Sequence, residues 1–333
     1  MEVADAENYL EEQKKRWVKY GCTILTDGWT GPTRLSIINI MVYCAGATVF
    51  LKSVDASKHT KTGEYIYGIL RSVLKEIGRH NVIQVVTDNG SNYRSAGLKL
   101  QRKYHVYWTP CAAHCLDLMF EDIGKRDSVK HIIKAARNAT KFIYNHNTVL
   151  SKLRETSPGE IIRPGATRFA TNYLALRSLR EKRAALRTMF SSQWWDDSTL
   201  SATPTGTSVS ETCLNPRFWH SVDEVCAIFE PMYTTLRLVD TEVHPTMGLL
   251  YYVFHEMKKK LEAMSGKKWV VDIVNHRWST QMEHPLHIAA FFLNPKLLFN
   301  PDIHMDNTHM AAVTRVFDFL HSDLDGSTLG KEV

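Results

Sequence analysis

The sequence predicts an α/β protein, with a mixed sheet in the first third of the chain and helices alone after it. Three observations carry this reading. Short apolar runs rich in β-branched residues recur early: CTILTD at Cys22–Asp27, LSIINIMVYC at Leu35–Cys44, TVFLKSV at Thr48–Val54 and VIQVV at Val82–Val86. Stretches with apolar residues at helical spacing separate the later runs. Beyond Ile123 the strand signal disappears and only helical periodicity remains.

Each element follows from its own residues. Ala4–Tyr20 is an amphipathic helix with Tyr9, Leu10, Trp17 and Val18 near one face, and it stops at Gly21. The first three runs are joined by turns, Gly28–Pro32 and one at Gly46, and read as an antiparallel meander. Thr62–Ile77 is a helix, carrying Tyr65, Ile66, Ile69, Leu70, Val73, Leu74 and Ile77 at helical spacing. Val82–Val86 has the continuous apolar character of a strand buried on both faces. Ser91–Arg102 is a helix, Val106–Trp108 a strand and Ala112–Ile123 a helix, giving the order β-β-β-α-β-α-β-α.

The remainder reads as helices at Ser128–Asn145, Thr167–Phe190, Phe218–Asp240, Pro245–Met264, Val270–Phe292 and Asp306–Ser322. Ser191–Asn215, rich in Ser and Thr with Pro204 and Gly206, reads as an exposed loop. The expected organisation is an N-terminal helix over 1–20, a core over 21–125, and a helical domain over 126–333 with that loop near 191–216.

Composition narrows the function classes. Hydrophobic residues make up 44% of the 333, enough for a sizeable core. A net charge of +6 is compatible with nucleic acid without specifying it. The six cysteines form no disulfide framework and read as reduced thiols of an intracellular protein. No apolar run approaches the ~20 residues of a membrane span.

The strand order fits a sheet with the first strand central and the fourth parallel beside it, the ribonuclease-H-like arrangement. That places Asp27, late in the first strand, next to Asp88 at the carboxyl end of the fourth, where open α/β sheets place their chemistry. Adjacent carboxylates repel unless a cation lies between them, and hard oxygen ligands suit Mg²⁺ or Mn²⁺. An Asp after a strand is also a common turn former, so each residue alone is ambiguous. Cys111-x-x-His114-Cys115 offers three soft or imidazole ligands on one helix face, with no second half to complete zinc coordination. A structural cluster without zinc is expected there, and core packing for Trp194-Trp195.

Six motifs occur together and in order: TDGWT at Thr26–Thr30, SVDAS at Ser53–Ser57, VVTDNGSNY at Val85–Tyr93, WTPCAAHCLDL at Trp108–Leu118, TRFATNY at Thr167–Tyr173 and HPLHIAAFFLNP at His284–Pro295. The set resembles the plant hAT-superfamily transposases and their domesticated relatives, over about residues 20–300. The resemblance implies a ribonuclease-H-like mixed sheet interrupted by a large all-helical insertion. It matches Asp27 and Asp88 to the first two acids of the family's Asp-Asp-Glu triad, both metal ligands. It matches Cys111 and His114 to the CxxH motif that shapes the active-site region, and Arg168 to the Arg of an Arg-Trp motif. Phe169 stands where many members carry Trp, which weakens any base-stacking role there. No counterpart of the family's DNA-binding zinc finger, its catalytic Glu or its dimerisation segment is found between Met1 and Val333.

The resemblance therefore implies a nuclear, DNA-binding protein whose ancestral reaction is Mg²⁺-dependent DNA strand cleavage and transfer. As this chain it is expected to bind Mg²⁺ or Mn²⁺ weakly and to be catalytically incomplete. Two alternatives stay open. One is a domesticated, non-enzymatic DNA- or protein-binding regulator. The other is an active nuclease that takes its third acid from Glu224, Glu230, Glu256 or Glu283.

Overall fold

The computed structural model describes residues 3–31, 35–163, 170–241 and 246–321. The chain begins with helix α1 (Val3–Tyr20) and the strands β1 (Cys22–Thr30), β2 (Ser36–Cys44) and β3 (Ala47–Asp55). Helix α2 (Gly63–Ile77), strand β4 (Val82–Thr87), helix α3 (Ser91–Tyr104), strand β5 (Tyr107–Pro110) and helix α4 (Ala112–Lys125) follow. The five strands form one sheet in the order β3-β2-β1-β4-β5. β1 pairs antiparallel with β2, and β2 with β3, while β1–β4 and β4–β5 are parallel. The mixed ribonuclease-H-like sheet expected from the sequence is present, with β1 at its centre and β4 beside it.

The two faces of the sheet are covered differently. Cys22, Ile24, Ile38, Ile40, Val42 and Val85 point to one face and are at most 3% exposed. They form a continuous core with Trp17 of α1, Leu70, Val73 and Leu74 of α2, and Ala96 and Leu100 of α3. This is the alternation a half-covered strand requires, repeated along β1 and β2. The other face carries Thr23, Leu25, Met41, Tyr43 and Val86, all of intermediate exposure.

Contacts divide the chain into two compact units, and the division differs from the expected boundary. The sheet unit contains the chain up to Cys115, then regains Leu238–His255 and the described residues from Arg277 onward. Those later stretches include α14 (Pro285–Phe292) and α16 (Asn307–Leu320), which the sequence alone assigns to the helical domain. Phe319 of α16 packs on Tyr107 of β5 with ring centroids 4.2 Å apart, and His284 meets the same ring edge-on at 5.1 Å. A sequence boundary drawn where strands stop cannot anticipate that later helices return to the sheet.

The second unit, Leu116–Arg237 with Glu256–His276, is helical. It holds α5 (Asp127–Asn145), α6 (Asn147–Thr156), α7 (Ala170–Glu181), α8 (Arg183–Phe190), α9 (Gln193–Asp196), α10 (Pro204–Leu214) and most of α11 (Pro216–Val239). Helices α12 (Met247–Glu262) and α13 (Lys268–Arg277) contribute in part, and α15 (Pro295–Leu298) is a single turn of the sheet unit. The stretch 191–216 is not an exposed loop. Thr203 caps α10 by accepting the Gly206 amide at 3.1 Å, Pro204 occupies its first turn, and Val209 and Cys213 are buried. Trp195 is buried against Phe190 and Phe142, which places it in a core as expected.

A further expected helix is interrupted. Val270–Phe292 is broken by a five-residue π-helical turn, Trp278–Met282, before His284 and Pro285 start α14. The His284 side chain accepts the Leu286 amide at 3.1 Å, and Asn294 accepts the Lys296 amide at 3.1 Å ahead of Pro295. The HPLHIAAFFLNP motif is thus two cap-and-proline helix starts in succession. Among the described residues, no helix is long and apolar enough to cross a membrane.

Candidate functional site

The site is built on two neighbouring strand ends. In the β1–β4 pair the register reads Thr23 with Gln84, Ile24 with Val85 and Leu25 with Val86. Two steps further along this register, Asp27 lies level with Asp88. Residues paired in a parallel ladder face the same side, so both carboxylates belong to the less covered face of the sheet. Asp27 is exposed and Asp88 of intermediate exposure.

Asp88 is held from several directions. Its Oδ1 accepts the Gly90 amide at 2.7 Å, closing an Asx turn ahead of α3. Its carbonyl accepts the Thr87 hydroxyl at 2.7 Å, and that hydroxyl in turn accepts the Trp108 indole N–H at 3.0 Å. The Thr87 carbonyl accepts the Cys111 amide at 2.7 Å. The turn-forming role open to such an Asp is therefore real here, but it occupies only one carboxylate oxygen.

Tyr93, in the first turn of α3, packs into the core on the opposite, covered face of the sheet. It is 3% exposed, and among the described residues its hydroxyl has no hydrogen-bond partner. The hydroxyl lies against Gly28, only 2.7 Å from where a Cβ at that position would stand, so any side chain there would displace it. Burial, then the charges of Asp88 and Asp27, hold the phenol well above its usual pKa and keep it protonated. The Lys61 ammonium is 3.9 Å from the same Gly28 point. Its backbone carbonyl accepts Nδ2 of Asn92 at 2.8 Å. In the sequence Tyr93 is one residue of the VVTDNGSNY motif, and Lys61 belongs to no motif. Their only signal was nearness in the chain to Asp88 and to the start of α2.

Cys111 immediately precedes α4, and its carbonyl accepts the Cys115 amide at 3.0 Å. The Cys-x-x-His spacing thus spans the residue that starts α4 and the third residue beyond it. Burial raises the Cys111 thiol pKa, the backbone amides of His114 and Ala113 oppose this, and the charges of Asp240 and Asp27 raise it again. His114 is exposed. Cys115 is fully buried. The 111/114/115 trio therefore does not converge on one point.

Asp240 is the acid that sequence reasoning missed. It follows α11 in the sheet unit and acts on the Cys111 thiol together with Asp27. Of the acids proposed from sequence, Glu224, Glu230 and Glu256 belong to the helical unit, where Glu224 pairs with Lys267 at 2.9 Å and Glu256 with Lys259 at 2.7 Å. Glu283 lies in the sheet unit, where its charge acts on Tyr251. Arg168 and Phe169 lie outside the described residues.

On the same face of the sheet, Thr23, Leu25, Met41 and Val86 on one side and Val239, Met247, Leu250 and His287 on the other enclose a cavity of about 610 Å³. Gln84 donates from Nε2 to the Thr109 hydroxyl at 2.7 Å on its floor. His287 is buried beside it and its pKa falls to about 4, through burial.

These donors can be compared with what a metal requires. Among the described residues, no group of three His, Cys, Asp or Glu side chains is placed to hold an ion. Asp27 and Asp88 supply hard carboxylate oxygens, one already engaged by an amide. This set fits a hydrated Mg²⁺ or Mn²⁺ held loosely and largely through water. It does not fit a closed three-acid centre.

No curated protein matches the chain. Residues 1–139, which run from α1 into α5 and carry both aspartates, Tyr93 and Cys111, match the family model described as a domain of unknown function (DUF659).

Proposed function

We propose that this chain is a transposase-type, ribonuclease-H-like protein that binds DNA at the Asp27/Asp88 strand ends and does not cut it unaided. The observation that carries the reading is the β1–β4 register, which brings the two aspartates level on one face. A divalent cation, when bound, would neutralise the two carboxylates and polarise a phosphodiester oxygen. Asp27 offers both oxygens, and Asp88 offers the one not held by the Gly90 amide. Two ligands leave most of the coordination to water, so binding is weak and the leaving oxygen goes without support. Binding without cleavage suits a nuclear, DNA-associated regulator derived from such an enzyme.

The test is a Mn²⁺ titration of wild-type, Asp27→Asn and Asp88→Asn proteins, followed by strand-cleavage assays on terminal-repeat and random duplexes. Weak binding lost in both variants, with no cleavage, is expected. Equal Mn²⁺ binding in all three proteins refutes the site.

A second reading is favoured by Asp240, which lines the cavity on this face of the sheet together with Cys111. If Asp240 supplies the third acid, metal-dependent cleavage occurs in the wild type and is lost in Asp240→Asn as well as in the other two variants.

A further inference from the structure

Helix α5 of the helical unit has two unlike sides. Val129, Ile133, Ala136, Phe142 and Ile143 are buried, where the helix packs against α6, α7 and α10. On the exposed side Lys130, Lys134, Arg137 and Lys141 follow one another at i, i+4, i+7 and i+11, the spacing that lines side chains up along one stripe of a helix. At an α-helical rise the stripe is about 16 Å long. The one carboxylate of α5 is Asp127, in its first turn. Lys130, Lys134 and Lys141 make no ion pair among the described residues.

Like charges one turn apart destabilise a helix, and the fold does not offset this cost with acids of its own. Arg137 is anchored without being neutralised: its Nη2 donates to Oδ1 of the buried Asn172 at 2.7 Å. Lys141 also lines a cavity of about 720 Å³ between α5 and α10, together with Asn138, Asn145, Thr205 and Ser208. No carboxylate is among the described residues that line it, and its amide, hydroxyl and ammonium groups are of the kinds that donate to phosphate oxygens. No large apolar side chain is exposed on α5, so this face suits neither insertion into lipid nor stacking on bases.

We infer that this face of α5 docks the phosphodiester backbone of double-stranded DNA, as a contact surface additional to the Asp27/Asp88 strand ends. Duplex DNA carries a negative charge every ~1.7 Å along its axis, so cations repeated at each helical turn meet phosphates along the whole stripe. The three lysines act as point charges and Arg137 as a planar fork, and such contacts hold a duplex without reading its sequence. The choice of DNA as the polyanion rests on the function proposed above, whereas the stripe itself uses neither residue of the acid pair.

The test compares the full chain with two triple variants, Lys130→Gln/Lys134→Gln/Lys141→Gln and Lys130→Arg/Lys134→Arg/Lys141→Arg, and with Asp27→Asn. Melting temperature is measured first, and then binding of a labelled random-sequence DNA duplex, without divalent cations, across a range of salt concentrations. The Gln variant is expected to melt as wild type does, since the three side chains are exposed and unpaired. It is expected to bind about tenfold or more weakly near ~100 mM salt, and to lose about 2–3 units from the slope of log affinity against log salt. The Arg variant keeps the charges and should bind as wild type does, and Asp27→Asn should bind at least as well. A salt slope unchanged in the Gln variant would overturn the inference. So would a wild-type protein that binds no duplex, or an Arg variant that binds as weakly as the Gln variant. Displacement of the duplex by poly-glutamate at equal charge would assign the face to an acidic protein, and tighter binding of an RNA duplex would assign it to RNA; either result overturns the choice of DNA. Mn²⁺ binding by wild type and its loss in Asp27→Asn report on the acid pair separately, so failure of the stripe and failure of the site remain distinguishable.

Discussion

Replacing Gly97 with alanine tests how the site is supported from below. Gly97 is buried in α3, and a Cβ there would stand 2.1 Å from Cδ1 and 2.2 Å from Cγ of Trp108. Ordinary carbon contacts begin near 3.5 Å, so the indole or the helix must move by more than about 1 Å. Helix propensity alone favours alanine by ~0.5–1 kcal/mol, so without the tryptophan the substitution would stabilise. Overpacking costs ~1–3 kcal/mol. Moving the indole also weakens the Trp108-to-Thr87 hydrogen bond, worth ~0.5–1.5 kcal/mol. The net expectation is a loss of about 1–4 kcal/mol. Urea unfolding would show it as a lower midpoint at constant slope. The cause is isolated by repeating Gly97→Ala in a Trp108→Leu background, where it should become neutral or stabilising. A Gly97→Ala protein as stable as wild type would refute the argument. So would an equal penalty in both backgrounds.

Other outcomes follow from the same packing. Leu116 is 0% exposed, so Leu116→Ala should cost roughly 2–5 kcal/mol in urea unfolding. Thr203→Ala removes the cap of α10 and should cost about 1 kcal/mol, whereas a true loop would show no effect. His284 and His287 have pKa values lowered to about 4 by burial, so they stay neutral when folded while the unfolded chain protonates them near pH 6.5. Stability is therefore full above about pH 6.5 and falls as pH drops towards 4, by on the order of 3 kcal/mol for His287. A denaturation midpoint flat between those pH values in wild type would contradict this.

Much of the sheet was legible because its strands are apolar and short: CTIL, SIINIMVYC and VIQVV each match an observed strand to within a few residues. The parallel pairing of the strands that carry Asp27 and lead to Asp88 was legible for the same reason, as the strand order makes them neighbours. What failed was the loop inferred from local composition. The Ser- and Thr-rich stretch after Phe190 hides α10, because Thr203 and Pro204 serve as cap and first turn rather than as breakers. Asp240 was hidden for a different reason: a long helical excursion separates it from the strands whose company it keeps. Tyr93 looked like one more aromatic in a motif, since an unpaired hydroxyl is a property of surroundings and not of sequence.

The discontinuity of the sheet unit has a consequence for how the chain acquires its structure. Residues up to Cys115 leave the ribosome well before the segments from Leu238 and from Arg277 that complete the same unit. Until then Leu25, Met41, Tyr43 and Val86 lack partners from the later segments, and the nascent sheet presents an apolar face to solvent. The loop closures involved span more than a hundred residues, so the final docking is a slow, non-local event. A fragment cut at the end of the family match, residue 139, would freeze the protein at that stage. It would contain every aspartate of the site except Asp240 and would tend to self-associate through the uncovered face of its sheet.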